Sequence, residues 1–274
     1  MHRRLGKYPV WLPVLAFIAF LQSPAFSADL SLPDPLGYTE RLWGDIKELP
    51  QKPGKWTKGQ WYIAGGVIAA TGGALLIDEN IRAHFETHRS ESWRHLSYIA
   101  THFGDYRYQV PLISGLWLGG RLFDSPVMGK IAADSAEASI IAAFLINPTL
   151  CFLTGRALPD AHEEPGKFEP FRFHRFSFPS GHTSAAFALA SAVDIDLRGT
   201  FGYWQTPVVY GMAVAVAHSR MYDDKHYLSE VILGGGIGWA IGTWIASKDR
   251  DPEPSAPLTL RPSPNGLELA WKFR

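Results

Sequence analysis

Residues 177–187 read SFPSGHTSAAF, and this stretch decides how the second half of the chain is interpreted. No acidic or basic side chain other than a histidine follows until Asp194, which predicts a buried helix. Ser180 is a favourable N-cap, because its side-chain oxygen can accept a first-turn N–H. Gly181 lets an oxyanion approach the backbone, and the helix dipole favours an anion there. The stretch therefore predicts a helix whose N-terminus binds an oxyanion.

A second polar motif, HSRMYDDKHYLSEV, occupies residues 218–231. His226 and Glu230 are four residues apart, so a helix places them on one face. They could be an ordinary surface pair, but a carboxylate there can also hold one imidazole nitrogen and leave the other as a nucleophile. Arg220 offers planar donors to phosphoryl oxygens, and His182 could protonate a leaving oxygen. This set suits phosphoryl transfer, and we expect neither a metal ion nor another cofactor.

The rest of the chain predicts an all-α fold. Apolar or helical patterns recur over about six segments, so we expect a bundle of about six helices followed by a short hairpin-like tail. These segments are residues 61–77, 108–122, 127–153, 181–195, 205–219 and 226–247.

Two patterns within these helices predict how they pack. Gly234, Gly238 and Gly242 recur every four residues, which favours close approach of another helix, and the glycine pairs at 65–66 and 72–73 suggest the same. Lys130, Asp134 and Glu137 form a polar stripe on an otherwise apolar helix. Such a helix does not face lipid on all sides, and the stripe either forms an internal salt-bridge network or faces water.

The chain divides into four parts. Residues 1–28 are basic, then apolar, then small, which is typical of a secretory signal peptide, with an uncleaved anchor as the alternative. Residues 29–59 predict an irregular leader with one short helix near 38–48, and residues 60–250 the helical domain. Residues 251–274 are a Pro-rich tail with a possible hairpin around Asn265–Gly266, either docked on the helices or acting as an outer-membrane targeting signal.

Composition excludes some classes of function. The 26 basic residues balance the 26 acidic ones, so nothing indicates nucleic acid. Cys151 is the single cysteine, which excludes an intrachain disulfide. Mean hydropathy is near zero, which keeps a soluble protein in consideration.

The order GRALP, KFEPF, SFPSGHTSAAFALA and SRMYDDKHYLSEVILGG resembles the type 2 phosphatidic acid phosphatase superfamily, which also contains bacterial acid phosphatases and vanadium haloperoxidases. The resemblance runs from about residue 149 to 245. It implies that His226 forms a phospho-enzyme, His182 protonates the leaving group and Glu230 orients the nucleophile. It also implies that Ser180, Gly181 and Arg220 cradle the phosphate.

The family's first motif is incomplete here. Aligning TGRALP puts Cys151 where the family has a Lys and Leu158 where it has an Arg, so two cations are missing. Arg156 is the nearest substitute, and we expect it among the phosphate-binding residues; Arg172 and Arg175 are further candidates. Glu230 replaces the family's Asp, which keeps the charge.

These features predict a metal-independent phosphatase acting on a phosphate monoester or pyrophosphate, with a membrane lipid as the expected substrate. The alternatives are a soluble periplasmic acid phosphatase of broad specificity and a catalytically degenerate phosphate-binding membrane protein. We expect an exported protein, either in the inner membrane with its site facing the periplasm or free in the periplasm.

Overall fold

The computed structural model describes residues 35–161, 163–164, 166–172, 177–248, 258–263 and 266–271. Over this part of the chain the protein is a helical bundle, as the sequence predicts. The predicted signal peptide, residues 1–28, lies outside the described residues.

The helices extend well beyond the predicted six segments. In chain order they are α1 Pro35–Glu48, α2 Lys58–Leu75, α3 Asp78–Thr87, α4 Glu91–Thr101, α5 Tyr106–Leu122, α6 Pro126–Ser139, α7 Asn147–Thr154, α8 Gly181–Phe201, α9 Thr206–Tyr222 and α10 Leu228–Ser247. A π-helical segment, Ile140–Ile146, joins α6 to α7 without a break in direction, and short 3-10 turns cover Leu49–Gln51, Pro53–Lys55, His102–Gly104 and Pro159–Ala161. The polar stretch that follows residue 77, outside the six predicted segments, forms α3 and α4.

Helix α8 is the centre of the bundle, with α6, α9 and α10 packed around it. The glycine stripe of α10 makes its contact with α8 possible. A Cβ at Gly234 would lie 2.5 Å from the Ser180 carbonyl oxygen, and Cβ atoms at Gly238 and Gly242 would collide with the α8 backbone at Ser184 and Ala188. The predicted close approach along this stripe is confirmed.

The glycine pairs of α2 behave differently. Among the described residues, a Cβ at Gly65, Gly66, Gly72 or Gly73 would meet no atom within 4 Å, so the close helix contact expected there is not formed by this part of the chain. Helix α2 does pack on α10, but the glycine that admits it belongs to α10. A Cβ at Gly236 would lie 2.6 Å from Val67 Cγ1.

The polar stripe of α6 forms an internal salt-bridge network. Asp134 and Glu137 are fully buried, and Arg41 of α1 reaches both, at 3.0 Å and 3.1 Å. Lys130 pairs with Asp134 and, at 2.9 Å, with Asp196 of α8. The network attaches α1 to the bundle. Of the two alternatives for the polar stripe, an internal salt-bridge network and a surface that faces water, the structure shows the first.

Two helical segments are long and apolar enough to cross a membrane, Pro126–Thr154 and Leu228–Ser247. Helices α2 and α3, bent by 62° at their junction, count as a third if they form one broken span. The tail contains two antiparallel strands, β1 Leu258–Ser263 and β2 Gly266–Trp271, with Leu258 opposite Trp271.

Candidate active site

His226 lies just before α10, with its ring held by a buried carboxylate. Its Nδ1 is 2.8 Å from Glu230 Oε2. The same oxygen accepts hydrogen bonds from Ser177 Oγ at 2.6 Å and from the Tyr227 backbone N–H at 3.2 Å. Because a carboxylate only accepts, Nδ1 carries the proton and Nε2 keeps its lone pair. The predicted pairing of His226 with Glu230 is therefore present.

The turn before His226 fixes where the ring lies. The backbone N–H groups of Lys225 and His226 both donate to the carbonyl of Arg220, at 3.0 Å and 3.1 Å. Asp224, with φ +57°, makes this reversal between α9 and α10. The turn thereby brings the end of α9, which carries Arg220, to the start of α10.

The N-terminus of α8 lies against the same part of α10. Ser180 is the N-cap, as predicted, and its Oγ accepts from the Thr183 N–H at 3.5 Å. The Ser180 N–H donates to the Glu230 carbonyl at 3.0 Å, which fastens α8 to α10. Asn147 supports the preceding turn by donating to the Pro179 carbonyl at 2.8 Å. The two predicted motifs therefore meet at one site.

His182, in the first turn of α8, faces residues from further upstream. Its Nε2 is 3.9 Å from Asp105 Oδ2, and the Asp105 carboxylate is also bound by Arg107. Burial, together with the positive charge of Arg220, lowers the pKa of His182 to about 3. The imidazole is therefore neutral near pH 7 until a negative charge enters the site.

Arg220 is the cation best placed to hold an oxyanion. Its Nη1 donates to Thr101 Oγ1 at 2.6 Å, and Asp223 lies 3.9 Å away. Its Nε is buried and has no hydrogen-bond partner among the described residues. An unsatisfied buried donor of this kind is costly, and an oxyanion would satisfy it.

Arg156 takes a position that the sequence analysis did not expect. Its guanidinium is 1% exposed and lies 2.8 Å from Asp78 Oδ2 and 3.1 Å from Glu230 Oε1. It also donates to Ser229 Oγ at 2.9 Å. Arg156 is thus a partner of Glu230 in this structure, because two buried carboxylates need a cation between them, and its phosphate contact stays a prediction.

The structure also shows the surroundings of Cys151, which stands where the family has the Lys of its first motif. Cys151 is 1% exposed, and its Sγ lies 3.6 Å from the carbonyl oxygen of Pro179, directly beneath the turn that leads into α8. Arg172 is exposed and lies 3.7 Å from Glu169, and Arg175 lies outside the described residues. Among the described residues, no group of His, Cys, Asp or Glu could hold a metal ion.

Several residues of the site were missed by sequence reasoning. Asp78, Thr101 and Asp105 come from α3, the end of α4 and the start of α5, far from either motif in the sequence. The available signal was modest: Asp78 is the first charge after 19 uncharged residues, 59–77, and Asp105 precedes a helix as an N-cap. Ser177 and Ser229 lie within or beside the motifs but have no distinctive spacing.

Residues 135–251 match the family model of the PAP2 superfamily, and this range includes His182, Arg220, His226 and Glu230. Over this segment the chain is similar to the PAP2 superfamily. The chain is also 32% identical over 142 residues to a lipid A 1-phosphatase of Porphyromonas gingivalis. That match covers 50% of this chain and 29% of the length of that relative.

A solved structure extends the comparison. It is a transmembrane PAP2-type phosphatidylglycerolphosphate phosphatase from Bacillus subtilis, 18% identical, with a TM-score of 0.46. The match covers 69% of this chain and 94% of the bacterial protein.

Proposed function

We propose that this PAP2 protein is a metal-independent phosphatase that hydrolyses a phosphate monoester or pyrophosphate of a membrane lipid through a phospho-histidine. The observation that carries the proposal is the buried His226–Glu230 pair beside the N-terminus of α8 and the unsatisfied Nε of Arg220. The arrangement combines a nucleophile of fixed tautomer with donors for phosphoryl oxygens.

The chemistry proceeds in two steps. His226 Nε2 attacks phosphorus in line, a P–N bond forms, the P–O bond to the leaving group breaks, and His182 gives its proton to the departing oxygen. Water then attacks the phospho-histidine, and the P–N bond breaks to release phosphate. In that step His182 takes the proton from water, so both histidines return to their starting state.

The low pKa of His182 fits this role once substrate is considered. In the empty site, burial and the positive charge of Arg220 hold the imidazole neutral. A phosphate dianion beside Arg220 offsets that positive charge and favours protonation of His182. Substrate binding therefore favours the protonated form of His182, which supplies the proton that the leaving group needs.

The lipid part of the proposal rests on where the site lies along the candidate spans. His226 precedes the span Leu228–Ser247, and Arg156 follows the span Pro126–Thr154. Asp78 stands at the bend between α2 and α3. The site residues therefore lie at one end of the candidate spans, where a bilayer around these spans would have its lipid headgroups. A 20-residue helix is about 30 Å long, which matches the hydrocarbon core of a bilayer.

Exposed apolar side chains also favour a membrane. Large hydrophobic side chains project from α2, α4, α5 and α9, although soluble proteins seldom expose so much apolar surface. They include Trp61, Tyr62, Ile68, Trp93, Tyr98, Leu118, Val208 and Val214. Export of the site to the periplasmic side rests on the signal-peptide pattern of residues 1–28.

The test is phosphate release by purified protein in EDTA, from phosphatidic acid, a polyprenyl pyrophosphate, a lipid A phosphate and a soluble aryl phosphate. We expect release by the wild type, loss in His226→Ala, and normal release in His88→Ala, a matched change at an exposed histidine that stacks on His84. A radiolabelled phosphate trapped on His226 at short reaction times would identify the intermediate. Equal activity in His226→Ala and wild type would refute the proposal, and a preference for the aryl phosphate would favour the soluble acid phosphatase.

A second candidate function follows from Cys151 and Leu158. With the two family cations absent, the site offers fewer oxyanion donors, and each such donor contributes about 3 kcal/mol to transition-state stabilisation. A protein that binds phosphate without turnover would show binding of inorganic phosphate but no release from any substrate. The variant Cys151→Lys with Leu158→Arg would then test whether the first motif limits catalysis.

A further inference from the structure

A chain of buried polar groups continues from the nucleophile to α3. Glu230 binds His226 through one oxygen and Arg156 through the other. Arg156 in turn binds Asp78, and Asp78 accepts hydrogen bonds from the Ser229 backbone N–H at 2.9 Å and from Ser229 Oγ at 2.6 Å. The chain of contacts therefore runs from Asp78 to Arg156, Glu230 and His226.

The charges in this chain are fully removed from solvent. Asp78 and Glu230 are buried to within 1% of full burial, and so is Arg156. An ion pair buried this deeply costs a large desolvation energy, and it seldom stabilises a fold better than apolar residues of the same size. Asp78 also lies outside residues 135–251, the segment that matches the family. Its burial against the catalytic pair calls for a role at the site.

We propose that Asp78 and Arg156 are positioning residues that fix the orientation and the effective charge of Glu230, and through it the reactivity of His226. Arg156 forms an ion pair, at 3.1 Å, with the Glu230 oxygen that does not touch His226, and this attraction opposes rotation of the carboxylate away from the ring. Asp78 forms an ion pair with Arg156, so its negative charge offsets the positive charge of the guanidinium. Glu230 therefore keeps its electrostatic effect on the imidazole. The proposal rests on the phosphatase function proposed above.

This arrangement has a consequence that a structural ion pair would not produce. Loss of the Asp78 charge leaves the positive charge of Arg156 uncompensated. This charge disfavours the protonated form of His226, so the acid limb of the kcat/KM profile moves to lower pH. Loss of the Arg156 charge leaves two carboxylates and moves the limb to higher pH. Removing both charges restores the balance. The other groups that face His226 are Arg220 from α9 and His182 from α8, and both are unchanged in these variants.

The experiment compares Asp78→Asn, Arg156→Gln and the double variant by pH–rate profiles. We expect limb shifts of about half a pH unit in opposite directions, with the double variant within about 0.2 unit of wild type. In all three variants kcat should fall roughly tenfold, with KM changed less than about twofold, as is typical when a supporting residue is lost. Asp134→Asn and Arg41→Gln form the matched control, because that pair also joins an upstream helix to a buried carboxylate, at 3.0 Å. The control variants should unfold at lower temperature without any limb shift.

Each outcome decides the proposal. Limb shifts in the same direction, or a double variant with wild-type kcat, would overturn it. If the single variants do not fold, the double variant, which keeps the wild-type net charge of the three side chains, provides the kcat test alone; failure of the double variant to fold would show a structural role. If the wild type itself lacks turnover, the phosphatase proposal fails separately. The pH midpoint of the His226 ring signals, measured by NMR in the same variants, then still tests the opposite shifts.

Discussion

Gly234→Ala tests whether the glycine stripe of α10 sets the geometry of the active site. A Cβ at this position would lie 2.5 Å from the carbonyl oxygen of Ser180, 3.2 Å from Ser184 Oγ and 3.3 Å from the Ser180 nitrogen. That nitrogen donates to Glu230. The added methyl group therefore acts on the hydrogen bond that fastens the start of α8 to α10.

The size of the displacement follows from these distances. A Cβ does not approach an oxygen closer than about 3.0 Å, so Ser180 must retreat by roughly 0.5 Å. A misplacement of 1 Å at a catalytic group costs about 100-fold in rate, so half of that costs roughly tenfold in kcat. The overpacking itself should destabilise the protein by about 1–3 kcal/mol.

Two neighbouring glycines provide controls for this variant. Gly235→Ala would meet Phe187 at 3.4 Å, an ordinary contact, and should retain wild-type kcat and stability. Gly238→Ala would collide with the Ser184 carbonyl, one turn further from the site, and should destabilise the protein with a smaller loss of kcat. The assays are thermal unfolding in detergent and steady-state phosphate release. Wild-type kcat in Gly234→Ala, or equal losses in all three variants, would refute the reasoning.

Three further perturbations have defined outcomes. The folded-state pKa of His182 is about 3, below the ordinary 6.5, so the unfolded state binds more protons between these values and stability falls as pH drops below about 6.5. At pH 5 the free energy of unfolding is lower by about 1 kcal/mol, after allowance for a ring that is one third exposed. The melting temperature should therefore differ between pH 7.5 and pH 5, and His182→Gln should remove this contribution to the difference. Thr101→Val removes the hydroxyl that holds Arg220 and should raise KM roughly fivefold, about 1 kcal/mol, with no change in the pH profile; an unchanged KM would contradict this role. Arg41→Ala leaves Asp134 and a second buried carboxylate poorly compensated and should cost about 3–5 kcal/mol of stability, measured by denaturant unfolding, whereas an unchanged midpoint would show that the network contributes nothing.

The fold could be predicted from the sequence where a pattern of residues is compatible with only one way of packing the helices. The spacing of Gly234, Gly238 and Gly242 predicts a helix contact, and the structure places α8 on that stripe. The pairs at 65–66 and 72–73 suggest the same from the same chemistry, but no helix approaches there. A glycine permits close approach without requiring it, so only the neighbouring element decides which stripe is used.

The site was predictable to the extent that its residues are close in sequence. His226 and Glu230 lie one helical turn apart, so local geometry alone brings them together. Asp78 and Asp105 reach the site through tertiary packing of α3 and α5, for which the sequence has no local signal. Arg156 is the clearest example of what the sequence cannot predict. Its arginine side chain predicts an anionic partner, which was expected to be phosphate, but the anions that it contacts in the structure are carboxylates of the protein itself.

The charges of the site explain how a protein without the two first-motif cations could still bind phosphate. Arg156 lies between two buried carboxylates, and Arg107 is paired with Asp105, so each of these three carboxylates already has a cationic partner. Arg220 instead binds a neutral hydroxyl at 2.6 Å, and its nearest carboxylate lies 3.9 Å away. Its positive charge is therefore available to an incoming oxyanion. An oxyanion there would satisfy the buried Nε of Arg220 and would supply the negative charge that His182 needs to hold its proton.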